Sequence, residues 1–211
     1  MRTLRKRCHG VTLVEMLFVG LLIPLIFCAM YVLLRTSTTS YRTNDVQSQL
    51  NHHAMQVLRT ITRELAQTSP SVDEAHCTLR DDADGNSILT FQIPVDWDND
   101  GDAVDDSAFS MDAEWGAYET PGDVQDGMLD SWIRYSLEEG QLIREVLDSG
   151  QNPIEGLRQV IANHVESFTA VQNLNVVTLT IAMSVVDQTA GTGRTFTVTL
   201  NHDTVLRNEI E

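Results

Sequence analysis

Carboxylates at Asp96, Asp98 and Asp100, followed by Gly101, stand at alternate positions of the segment DWDNDGDAVDD over residues 96–106. That spacing lets alternate side chains converge on one hard cation while the glycine takes the sharp turn, as at positions 1, 3, 5 and 6 of a calcium loop. Position 12 of such a loop, where a bidentate Glu is usual, is Ser107, so closure of the shell falls to Asp102, Asp105 or Asp106. A solvated acidic loop is the competing reading, because residues 71–130 hold 17 acids and one base, Arg80. Mutual repulsion of closely spaced aspartates in a folded loop favours a bound Ca²⁺ held by Asp96, Asp98, Asp100, Asp102 and Asp105. Asp123, Asp126 and Asp130, around Gly127, are candidates for a second site or an extension of the first. Trp97 and Trp115, beside these acids, read as loop packing or an exposed contact surface.

The second chemically loaded residue is Glu15, the one charge in a run of 24 residues, VTLVEMLFVGLLIPLIFCAMYVLL over 11–34. An ionised carboxylate at membrane depth costs about 2.5–3.5 kcal/mol on the mildest insertion scale. Between Gly10 and Arg35 the sequence has no Lys, Arg or His. A cut after Gly10 would create a cation, the α-amino group of Val11, four residues from Glu15 on the same molecule or on a neighbour. A Glu15 that sits near the interface and snorkels or is protonated is the alternative. No P-loop, G-x-S-x-G, H-E-x-x-H or C-x-x-C occurs, and His9, His52, His53, His76, His164 and His202 are scattered without ligand spacing. The chain therefore reads as a non-enzyme.

The run over 11–34 exceeds the roughly 20 apolar residues that cross a bilayer. Arg2, Arg5, Lys6 and Arg7 precede it, which by the positive-inside rule puts the N-terminus in the cytoplasm and everything after Arg35 outside. An ordinary secretory signal fits less well, since the run is too long and no A-x-A-like site follows. Beyond it Leu50, Ala54, Val57, Leu58, Ile61 and Leu65 form one helical stripe, with Arg59, Arg63 and Glu64 on the wet side. Thr68-Ser69-Pro70 ends the helix, which over 11–67 would be about 85 Å long at 1.5 Å per residue. Pro24, with Gly20 a turn earlier, should kink or locally open its first half. His52 and His53 read as surface residues.

From residue 70 the period changes from 3.6 to 2. Strands are expected over 77–80, 87–95, 131–137, 141–146, 165–171, 176–186 and 195–206, with turns at 82–86 (DADGN) and 138–140. A short helical turn is expected within 153–162 (PIEGLRQVIA). The sum is an α+β chain, a long N-terminal helix laid on an antiparallel sheet.

Formal charge is −16; without residues 1–10, which hold four bases, 10 bases face 30 acids and the net is −20. Such a charge repels phosphate backbones, so no direct nucleic-acid partner is expected. Cys8 lies in the basic head and Cys28 in the apolar run, which leaves Cys77 as a single, buried or inert thiol outside the membrane.

G-V-T-L-V-E over 10–15, with its basic head and apolar run, resembles the processing motif of type IV prepilins and type II secretion pseudopilins, usually G-F-T-L-x-E. Val11 stands where Phe is usual. The resemblance implies a leader over 1–10, a membrane and filament-core helix over 11–34, its amphipathic continuation over 35–69, and a β-rich extracytoplasmic domain over 70–211 with a pilin-like fold. It implies that a prepilin peptidase cuts after Gly10 and methylates Val11, and that Glu15 pairs with the N-terminal amine of an adjacent subunit. Prolines in the first half of the helix are usual in that family. SYRTNDVQSQL, WIRYSLEEGQLIREV, VESFTAVQNLNVVTLTIAM and TFTVTLNHDTVLRN resemble W-type minor pilins and J-type minor pseudopilins, which share a hairpin of tyrosine strand, turn and leucine-x-arginine. The implied partners are the prepilin peptidase, other pilin or pseudopilin subunits and the bacterial inner membrane, crossed once, before assembly into a pilus or pseudopilus. A calcium-dependent adhesin or binding module at a filament tip is the alternative. A membrane-anchored enzyme is a third reading, which requires an uncut N-terminus and a pocket with perturbed acids.

Overall fold

The computed structural model describes residues 13–68, 76–95, 104–105, 112–113, 115–118, 127–187 and 193–206. Among the described residues one helix, α1 (Leu13–Leu65), precedes thirteen strands. These are β1 (Cys77–Asp81), β2 (Ser87–Phe91), β3 (Ile93–Pro94), β4 (Val104–Asp105), β5 (Asp112–Ala113), β6 (Trp115–Tyr118) and β7 (Gly127–Leu129). They continue with β8 (Trp132–Glu138), β9 (Gln141–Leu147), β10 (Pro153–Asn163), β11 (Val165–Asn173), β12 (Val176–Asp187) and β13 (Arg194–Val205). The chain divides into two units, 1–46 and 47–211.

In the first unit α1 is long and apolar enough to cross a membrane. Pro24 lies inside the helical run and does not end it.

In the second unit the expected stripe is the buried face of α1: Leu50, Ala54, Val57, Leu58, Ile61 and Leu65 are all buried in the core. Each large aliphatic member contributes about 1.5–3 kcal/mol by leaving water. Arg59 and Arg63 are exposed as expected, and so are His52 and His53. Glu64 departs from the expectation and is half-buried. The helix closes by tightening, with Gln67 and Thr68 donating to the carbonyls of Glu64 and Leu65 at 3.1 Å each.

Every strand pairing is antiparallel. The helix and antiparallel strands bear out the α+β reading, but in place of one sheet there are two principal ones. A five-stranded sheet has the order β1-β2-β8-β9-β10, and a three-stranded sheet has the order β11-β12-β13. Side chains, rather than a ladder, join them. The amides of Phe168 and Ala170 in β11 donate to Asn86 Oδ1 at 3.3 Å and Ser87 Oγ at 3.0 Å, and Ser87 Oγ donates to the Ala170 carbonyl at 3.4 Å.

Two strand expectations need correction. Residues 87–95 do not form one strand, because the chain changes partners at Gln92: β2 pairs with β1 and β8, β3 with β6. Residues 153–162 hold no helical turn but belong to the eleven-residue β10. Ile154, Leu157 and Ile161 imitate a helical period because the strand is irregular. Its register against β9 shifts between Pro153 and Arg158, where Gly156 at φ 91° takes a conformation that a side chain would disfavour. The turn between β8 and β9 is as expected, with Glu139 and Gly140 both at positive φ, the signature of a type I′ hairpin. In β12 the alternation holds, and Val177, Leu179, Ile181 and Met183 are buried.

Ile61, fully buried at the centre of the stripe, is the position on which the helix depends most. Ile61→Ala should lower stability by about 2–5 kcal/mol and Arg59→Ala by less than about 0.5 kcal/mol, read from denaturant unfolding of the full chain in detergent.

Candidate functional site

Of the residues that carried chemical expectations, Gly10, Val11, Asp96, Asp98, Asp100 and Asp102 lie outside the described residues, as do Asp106, Asp123, Asp126 and Trp97. Asp105 is described by its backbone alone, paired with Asp112 between β4 and β5. Asp130 is exposed at φ 58° on the turn into β8. Among the described residues no group of three or more His, Cys, Asp or Glu side chains is placed to hold a metal. Glu15 sits in the first turn of α1, where the helix dipole favours a negative charge.

The apolar run is the first candidate surface. Its large apolar side chains, from Leu13 to Leu34, are 47% to 82% exposed, so the helix is apolar all round and no face of it is buried in the unit. Past Arg35 the surface changes character. Thr36, Thr38, Thr39 and Thr43 donate their hydroxyls to carbonyls one turn back, at 2.9–3.0 Å. A Thr-rich stretch thereby satisfies its polar groups within the helix itself. Exposed Tyr31 and Arg35 precede this stretch, and exposed Tyr41 and Arg42 lie within it.

The second candidate is a charged node within the 47–211 unit. Tyr135 in β8 and Arg144 in β9 are directly opposed in the hairpin register, and both reach Glu64 in the last turn of α1. Tyr135 Oη donates to Glu64 Oε2 at 2.8 Å, while Arg144 Nε donates to Oε1 at 3.1 Å and Oε2 at 3.2 Å. Both partners come from the tyrosine-strand and leucine-x-arginine hairpin, which therefore clasps the helix. This corrects the placement of Glu64: its side chain is 18% exposed because it neutralises an arginine that is itself 11% exposed. Burial, and then the charge of Glu64, pushes the Tyr135 hydroxyl well above its ordinary range, so it stays a donor. Position 64 lies three residues past Ile61 and seven past Val57, and that helical spacing at the edge of the stripe is the signal in the sequence for its half-burial.

The other face of the same strands carries a second set of ions. Glu145 is buried and takes Arg134 at 2.5 Å and Arg158 at 3.5 Å, and Arg158 also pairs with Glu138 at 2.6 Å.

A third cluster sits where β2 gives way to β3. Buried Thr68 donates to the Gln92 carbonyl, His76 Nδ1 lies 2.9 Å from Gln92 Oε1, and Gln92 Nε2 donates to the Ser131 carbonyl at 3.2 Å. His76 stacks on Trp115, with ring centroids 4.1 Å apart, which settles Trp115 as packing. These bonds fasten the helix end, β1, β3 and β8 together. Cys77, next to it, is buried, and burial pushes its thiol up to about 12, in keeping with an inert cysteine.

Two outcomes follow. In a double-mutant cycle, Glu64→Leu with Arg144→Met should cost less than the sum of the single changes, with a coupling of roughly 1–3 kcal/mol, because either single change strands a polar partner. The Cys77 thiol is neutral in both states below 9.0, but between 9.0 and about 12 only the unfolded chain gives up its proton. Stability should therefore fall as pH rises through that window, by up to about 1.4 kcal/mol per unit, and Cys77→Ala should remove one proton's worth of the slope in alkaline unfolding titrations. Compared with known proteins, the chain matches no family model, no curated protein and no solved structure.

Proposed function

We propose that this chain is a minor pilin or pseudopilin subunit: an inner-membrane precursor, cut after Gly10 by a prepilin peptidase, that primes, caps or enters a type IV pilus or a type II secretion pseudopilus. The observation that carries the reading is α1 itself. Its N-terminal part exposes apolar side chains on every face, and its C-terminal part buries a single stripe in an α+β unit. A helix of that composition needs lipid around it first and other apolar helices later, and a filament core offers the second environment. Tyr31, Arg35, Tyr41 and Arg42 suit the membrane boundary, where amphipathic rings and long basic side chains lie with their polar ends in the headgroups. The acidic β-rich unit acts in this reading as a contact surface on other subunits, without catalysis.

Glu15 has an assembly role. Near the start of the apolar helix it neutralises the methylated amine of Val11 from an adjacent subunit and so fixes the register in which helices slide together. A charged pair of this kind, shut away from water, specifies alignment more than it adds affinity.

The test is N-terminal sequencing and intact mass of the protein from membranes of cells carrying a prepilin peptidase. A chain that begins at methylated Val11 is the expected result, and one that begins at Met1 sinks the reading. Glu15→Leu should be processed normally yet lost from sheared filaments.

A further inference from the structure

Sheet edges are templates for further pairing, and folded proteins ordinarily blunt them with charges, bulges, proline or short strands. Among the described residues the other principal edges are treated that way. β10 opens on Pro153, carries Glu155 and Arg158, and shifts register twice against β9. β11 shifts register beside Glu166, and its amides at Phe168 and Ala170 are taken by Asn86 and Ser87. β1 has five residues and ends on Arg80 and Asp81.

β13 has charges only towards its ends, Arg194 and Asp203, and no bulge or proline. It is twelve residues long, and its ladder with β12 runs without a shift from Val176 opposite Val205 to Asp187 opposite Arg194. From Thr195 to His202 it holds no Lys, Arg, Asp, Glu or Pro. Its two faces are sorted. Thr195, Thr197, Thr199 and Asn201 are exposed on one, while on the other buried Val198 lies between Phe196 and Leu200, which pack only partly against the core.

We propose that β13 is a homotypic docking edge, pairing antiparallel with β13 of a second copy of this chain about a two-fold axis at Val198. In that register Phe196 faces the partner's Leu200, which continues the apolar row across the axis. Thr197 faces the partner's Thr199 and Thr195 faces the partner's Asn201, polar cross-strand pairs that add to the backbone bonds. Charge selects against parallel pairing: Arg194 lies at one end of the strand and Asp203, on the opposite face, towards the other. Antiparallel pairing sets each Arg194 end against the partner's Asp203 end, whereas parallel pairing would stack like on like. The proposal rests on the sheet edge and not on the function of α1.

The test is the protein mass of the full chain in detergent, by sedimentation equilibrium over a concentration series. The wild type should move from monomer to dimer, and T197K/T199K, which opposes lysines across the axis, should halve the particle's protein mass at the same concentration. T180K/S184K puts two lysines on the same sheet face in the central strand and should leave the dimer intact. Circular dichroism verifies folding of each variant. With Cys8 and Cys28 changed to Ser, a mixture of T197C and T199C chains should give an oxidative cross-link that neither chain gives alone, which holds the register to account even if the lysine variant misfolds. A wild type that stays monomeric throughout, a dimer indifferent to T197K/T199K, or a mixture that does not cross-link overturns the proposal.

Discussion

A helix can bury one stripe or be apolar all round, and α1 does both along a single run of backbone. Everything else follows from where that change falls. Up to Leu34 the side chains ask for a solvent other than water, and from Leu50 they ask for a sheet, which the strands supply. No break in the helix marks the change; side-chain chemistry alone divides the element. The Thr-rich stretch between the two regimes tolerates either environment, because its hydroxyls are spent on carbonyls a turn away.

Holding the wet half of such a helix on its sheet takes more than the stripe. Apolar burial is non-directional, and a stripe could slide or roll at modest cost. The Glu64 node removes that freedom. Two residues opposed on one hairpin converge on one carboxylate, so a shift by a turn would leave a buried hydroxyl and an arginine without their acceptor. The Thr68–Gln92–His76 cluster does the same at the helix end, using neutral groups in place of ions.

What could be read from residues alone followed periodicity. The stripe of six, the alternation in β12 and the Glu139-Gly140 turn were legible because each is a local signal repeated or anchored at fixed spacing. The errors came where tertiary structure overrides local pattern. Gly156 and its bulge gave β10 a false helical spacing, and the partner change at Gln92 cut one apparent strand into two. The division into two sheets rests on Ser87 and Asn86 reaching β11, a long-range contact without a local signature. Glu64 was placed in water because a carboxylate beside a stripe ordinarily is, and its partners lie 71 and 80 residues away.

Glu15 and Glu64 stand near opposite ends of one helix and show two solutions to one physical problem. A carboxylate drawn away from water must be matched by donors or positive charge. For Glu64 the matching groups come from the chain's own hairpin, so the match is made when the domain folds. For Glu15, in the assembly reading, the adjacent subunit's N-terminal amine is a further match, made only when a peptide bond is cut and a neighbour arrives. The first carboxylate ties a helix to its domain, and in the proposed assembly the second ties that helix to a neighbour. In that proposed reading folding and assembly are separate events on a single element, and the cut after Gly10 sets their order.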